Sequence, residues 1–177
     1  MKQIFIALVF FTYFFSSCSY VEKQKRIDQI DSLQTELKSI ETNMIAVDIA
    51  SVKEKMDSID YITESIAVDT SDKDFMILVG DVKRVKKNIF KFITEYNLQK
   101  TQFDYTVNQL VSFKTDVDNG FYDEEKFRMI LNSEADAIER MLEANNNLMA
   151  WHDSMLRQHK ALLNKLNEAI AIKNNPK

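Results

Sequence analysis

The sequence predicts an all-α fold, an elongated antiparallel three- or four-helix bundle with coiled-coil character. Two Gly and one Pro in 177 residues are too few for a β-sandwich or barrel, which needs a turn about every 8–12 residues. From Glu22 onward there is almost no period-2 alternation, and apolar residues recur at steps of three and four. An apolar content of 45% is too high for global disorder. The same composition leaves no Gly-rich loop to cradle a phosphate or dinucleotide. The single Cys excludes an intrachain disulfide framework and any Cys-cluster metal site.

Residues 1–17 read as a signal peptide. A short positive start at Lys2 precedes the uncharged run Ile4 to Phe15. A spanning helix needs about 20 apolar residues, so this run has the length of a signal-peptide core instead. Ser16 and Ser17 follow, then Cys18. The segment Phe15-Ser16-Ser17-Cys18 resembles the lipobox of bacterial lipoproteins, with Phe15 in place of the usual Leu. That resemblance implies cleavage before Cys18, a diacylglyceryl group on its sulfur and an acyl chain, such as palmitate, on its new amino group. Several acyl chains give stable anchoring where one binds only marginally. Residues 18–21 then form a lipidated start and short tether. They lack an acidic cluster resembling the surface-export signal of Bacteroidota lipoproteins, which favours a periplasm-facing location in the cell envelope.

Residues 22–67 read as N-terminal helices with a bend near 46–50. Ile27, Ile30, Leu33, Leu37, Ile40, Met44 and Val47 make one stripe, and Ile49, Val52, Met56, Ile59, Ile62 and Ile66 another in shifted phase. Ser51-Val52-Lys53-Glu54 fits a capping box at the shift, placing the second helix start near 51. Ile45–Asp48 and Ile66–Asp69 share the pattern Ile-Ala-Val-Asp, too short to establish a repeat.

A long helix is predicted over 72–118. Its seam runs Phe75, Leu78, Val82, Val85, Ile89, Phe92, Tyr96, Gln99, Phe103, Thr106, Leu110, Phe113, Val117. Ser71 with Asp74 resembles a capping box at its start, and Gly120 suits the left-handed position past its end. A second long helix over 123–172 starts at Asp123 as N-cap, with Glu124 and Glu125 favourable in the first turn. Its stripe, from Phe127 through Ile138, Asn145, His152 and His159 to Leu166, is broad enough to touch two neighbours. Residues 173–177 are a fraying tail. The short turn at 119–122 makes the two long helices antiparallel, each about 70 Å long at 1.5 Å rise per residue.

The pattern resembles a family of small helical lipoproteins of Bacteroidota, largely of unassigned function. The resemblance lies in the lipobox, in Ile49 to Ile66, and in the spacing of Gln109-Leu110, Asp116, Gly120, Glu125 and Glu134. It implies no catalytic residue and no cofactor beyond the covalent lipid on Cys18.

No enzyme motif is visible. Asn145, His152 and His159 are seven apart on the inward stripe, and Met149 and Met155 sit beside them. Single polar seam positions commonly fix register, and Met fills gaps. The alternative is a soft-metal or ligand site, since Met and His together suit Cu(I). Lys83, Arg84, Lys86, Lys87 and Lys91 cluster outside the seam, either as a solvated face paired with neighbouring acids or as a patch for an acidic partner or anionic headgroup. Trp151, at the stripe edge, is half-buried core or a partner anchor. Asp31-Ser32-Leu33, Asp57-Ser58-Ile59 and Asp153-Ser154-Met155 resemble Bacteroidota O-glycosylation acceptors. A net charge of −4 argues against nucleic-acid binding. The expected role is a non-catalytic, lipid-anchored interaction or structural module, with a protein partner or self-association.

Overall fold

In the computed structural model the chain is all-α: α1 spans Lys2–Ala46, α2 Ile49–Ser65, α3 Lys73–Asp118 and α4 Glu124–Asn174. The backbone is described for residues 2–65 and 72–174, and side chains for 20–64 and 72–172. Expectations at Ile66–Asp69, at Ser71 and for residues 175–177 of the tail lie outside the described residues.

Local chemistry sets each helix end. The helical backbone of α1 begins at Lys2 rather than near 22, and no Gly or Pro stands between Ser16 and Glu22 to interrupt it. At its other end the Met44 carbonyl accepts both the Val47 amide, at 3.2 Å, and the Tyr96 hydroxyl, at 3.1 Å. These bonds satisfy one of the carbonyls a helix terminus leaves over.

Asp48 then caps α2, its carboxylate accepting the Ser51 amide at 3.1 Å. This corrects the expected cap at Ser51. Aspartate is as good an N-cap as serine and stands where the break occurs, so α2 starts at Ile49. The Ser51 hydroxyl instead accepts Lys55 Nζ at 2.9 Å. Asp72 likewise caps α3, accepting the amides of Asp74 at 2.9 Å and Phe75 at 3.2 Å.

The end of α3 and the start of α4 are as the sequence predicts. Gly120 has φ of 74°. Its amide donates to the Val117 carbonyl and that of Phe121 to Asp116, the two bonds of a Schellman motif. Asp123 accepts the Lys126 amide at 2.8 Å and starts α4.

Two compact units result. The first combines Met1–Glu41 with Gln102–Leu142, so α1 meets the end of α3 and the start of α4. Ile30, Leu33, Leu37 and Ile40 pack with Phe103, Leu110, Phe113 and Val117 and with Phe127, Ile138 and Met141, all buried. Phe113 and Phe127 stack with centroids 5.6 Å apart. Such a pair contributes roughly 0.5–1.5 kcal/mol beyond area burial. Arg26 clamps the α3–α4 turn onto α1. It donates to the Tyr122 carbonyl at 3.1 Å, pairs with Glu124 at 2.8 Å and lies over the Phe127 ring.

The second unit combines Thr42–Thr101 with Glu143–Lys177. Here α2 contributes Val52 and Ile59, α3 Leu78, Val82, Val85, Ile89 and Phe92, and α4 Leu148, Met155, Leu162 and Leu166. Each unit packs helical segments against one another around its own core, an all-α helical bundle as the sequence predicts. Every α3 seam position is buried except Phe75 and Tyr96, which are half-buried. On α4 the second row, Leu142, Met149, Leu156 and Leu163, is half-buried beside the buried first row, the width the sequence predicts.

Candidate functional site

The polar residues of the α4 stripe all lie in the second unit and face different partners. Asn145 is 1% exposed, and its Oδ1 accepts Asn43 Nδ2 at 2.9 Å. Gln99 Nε2 donates to the Ala144 carbonyl at 3.2 Å. Asn145 Nδ2 and Gln99 Oε1 are buried without partners. The His152 ring packs 5.4 Å from Phe92, with Nδ1 3.6 Å from the Asp153 carboxylate. His159 is buried, with Nε2 3.4 Å from Ser58 Oγ. Burial pushes its pKa down, and the nearby Lys55 charge adds to the effect while the Lys55 backbone opposes it.

Seven residues along a helix separate the two imidazoles by about 10.5 Å of rise. Met155 is buried in the core and Met149 packs against it. Among the described residues no three His, Cys, Asp or Glu side chains come together to hold a metal ion. Asn145 and His159 are buried within the packed seam, and His152 is half-buried beside it.

Trp151 meets Phe92 edge-on, with centroids 5.9 Å apart, and is half-buried in the same cluster. Of the three serine strings, Ser58 Oγ donates to the Lys55 carbonyl and Ser154 Oγ accepts Gln158 Nε2, whereas Ser32 is exposed. The side chain of Cys18 lies outside the described residues.

The basic cluster divides into two sets. Lys86 pairs with Asp60 of α2. Arg84 pairs with Asp81 at 2.7 Å, and Lys165 of α4 reaches the same carboxylate at 2.7 Å. The bonded Lys165 ammonium holds the Asp81 carboxyl below the usual range. Lys83, Lys87 and Lys91 are exposed and have no ion pair among the described residues.

These three lysines share a sector of α3 with side chains that sequence reasoning did not group with them. At 3.6 residues per turn, Lys73, Met76, Gly80, Lys83, Lys87, Phe90, Lys91, Thr94, Leu98 and Thr101 fall within about 100° of the helix circumference. All are exposed, and none is acidic. Phe90 is 63% exposed, Leu98 51% and Met76 46%. The hydroxyls of Thr94 and Thr101 donate back to the carbonyls of Phe90 and Asn97. The polar groups of this face other than lysine are thus already satisfied. By contrast, the exposed positions of α4 mix Asp136, Glu139, Glu143 and Asp153 with Arg140 and Arg157. The signal for the α3 face was present as apolar residues off the seam, but isolated exposed apolar residues are ordinary until structure aligns them.

In the first unit, Gln109, Asp116 and Glu134 of the lipoprotein-like spacing line one groove of about 370 Å³, with Asn108, Ser112 and Tyr122. The Tyr122 hydroxyl donates to Asp116 at 2.8 Å, and this bond raises the Tyr122 pKa. Burial raises that of Glu134. Gly120 forms the adjoining turn, and Glu125 is exposed outside the groove.

Among the described residues no helix is long and apolar enough to cross a membrane. No protein-family model, curated protein or solved structure matches the chain.

Proposed function

We propose that the chain is a membrane-anchored lipoprotein of the bacterial cell envelope, periplasm-facing, that acts as a helical interaction module and not as a catalyst. The apolar run ending at a lone Cys18 supports the anchor. The exposed face of α3 supports the interaction role, and it is the observation that carries the proposal. An exposed row of Met76, Phe90 and Leu98 interleaved with unpaired lysines is not needed by the core, which α3 completes with its opposite side. Large apolar side chains held in water are retained at a free-energy cost of about 25 cal/mol per Å² relative to burial, so a surface that repeats them along one sector is suited to contact.

The test is photocrosslinking in intact cells. A photoreactive residue at Phe90 or Leu98 should give discrete adducts, protein or lipid, whereas one at exposed Asp153 should not. Equal, diffuse labelling at all three positions contradicts the interaction reading.

A further inference from the structure

We infer that the exposed face of α3 lies on an anionic lipid headgroup surface. The inference rests on the reading of that face as an interaction surface and names what it contacts.

Three features of the face fit headgroups. Lys83, Lys87 and Lys91 recur at one-turn spacing and carry charge that no carboxylate of the described chain neutralises. Asp60 is committed to Lys86 and Asp81 to Arg84 and Lys165, and Glu95, one turn beyond Lys91, is half-buried and pairs with none of the three. Phe90 and Leu98 stand singly between and beyond these lysines, each able to enter the headgroup–acyl boundary while the ammonium groups stay at phosphate level.

The same features fit a protein partner poorly. The contact core of a protein interface is contiguous, apolar and depleted in lysine, whereas here lysines alternate with the apolar side chains on one convex helix. A plane of phosphates accepts compact, flexible ammonium charges without demanding that geometry. The overall charge of −4 makes the local cationic sector the part of the surface that such a plane attracts.

The experiment uses the full chain carrying Cys18→Ser, so that no acyl group contributes, with an environment-sensitive fluorophore on Leu98→Cys. Phosphatidylglycerol-rich vesicles should produce a blue shift and at least a roughly threefold rise in emission. Phosphatidylcholine vesicles should not. The signal should fall at ~0.5 M salt, where charges are screened beyond a few Å. Lys83→Glu, Lys87→Glu and Lys91→Glu together should weaken the apparent affinity more than about tenfold, with helicity by circular dichroism unchanged. The same fluorophore on Asp153→Cys should not respond. Placing the readout at 98 separates this face from any vesicle binding by the N-terminal run. No phosphatidylglycerol-dependent change at 98 overturns the inference. If discrete protein adducts still form at Phe90 in cells, the interaction reading stands and the lipid assignment fails. If neither occurs, both fail.

Discussion

Asn43 and Asn145, on α1 and α4, form a side-chain hydrogen bond of 2.9 Å within a largely apolar seam, and the amide nitrogen of Asn145 has no partner. A buried amide donor left unsatisfied costs about 1–3 kcal/mol. Removing one partner only should therefore destabilise, while removing both should not. Asn43→Ala, which leaves both polar ends of the buried Asn145 amide without a partner, should lower the unfolding free energy by roughly 1–3 kcal/mol. Asn43→Ala with Asn145→Leu should match or exceed wild type. Urea denaturation of the four-member cycle measures the coupling, and strict additivity of the two single changes speaks against the bond.

The buried imidazole of His159 makes stability depend on pH in a definite direction. Burial lowers its folded-state pKa below the ordinary histidine value of about 6.5. The unfolded chain then binds the proton more readily, so its contribution to stability is complete above about pH 6.5 and is lost as pH falls through the folded-state value. Melting temperature should drop on acidification from pH 7.5 towards 5, and His159→Gln should flatten that part of the profile. An identical slope in the variant rules out His159 as the cause.

The two glycines predict effects of opposite sign. Gly120 sits at φ of 74° with open space around it, so a methyl group there meets no atom but strains the backbone. Gly120→Ala should cost about 1 kcal/mol. Gly80 is inside α3, also with open space, and Gly80→Ala should stabilise by roughly 0.5–1 kcal/mol. Thermal melts of both variants check this, and a shift of the same sign in both disagrees with it.

The start of α2 is tested by comparing Asp48 with Ser51. Asp48→Ala removes the N-cap and should cost about 1 kcal/mol. Ser51→Ala removes only a hydroxyl that accepts Lys55 and should cost under about 0.5 kcal/mol. The reverse order would restore Ser51 as the cap.

The helices and their faces were legible because burial follows a 3.5-residue pattern that neither neighbours nor loops disturb. Val82, Val85, Ile89 and Phe92 are buried as their spacing requires. Gly120 and Asp123 were legible because backbone conformation and capping depend on few atoms. The cap at Asp48 was misplaced because Asp48 and Ser51 compete at the break, and only the path of the chain selects between them. The phase of Asn145 and His159 revealed that they face inward, but their partners Asn43 and Ser58 are about a hundred residues away in sequence. No pattern on α4 alone encodes them. The basic cluster was visible as a string, yet its division into paired Arg84 and Lys86 and unpaired Lys83, Lys87 and Lys91 depends on Asp60, on Asp81 and on where Lys165 of α4 reaches.

The proposed location and tether rest on acylation of Cys18, and metabolic labelling with an alkyne-bearing palmitate in a bacterial host measures that directly. The wild-type chain should take up label and partition with membranes. Cys18→Ser should lose the label and accumulate as an unprocessed or soluble form. Equal labelling of the two chains, or none in the wild type, would contradict the account.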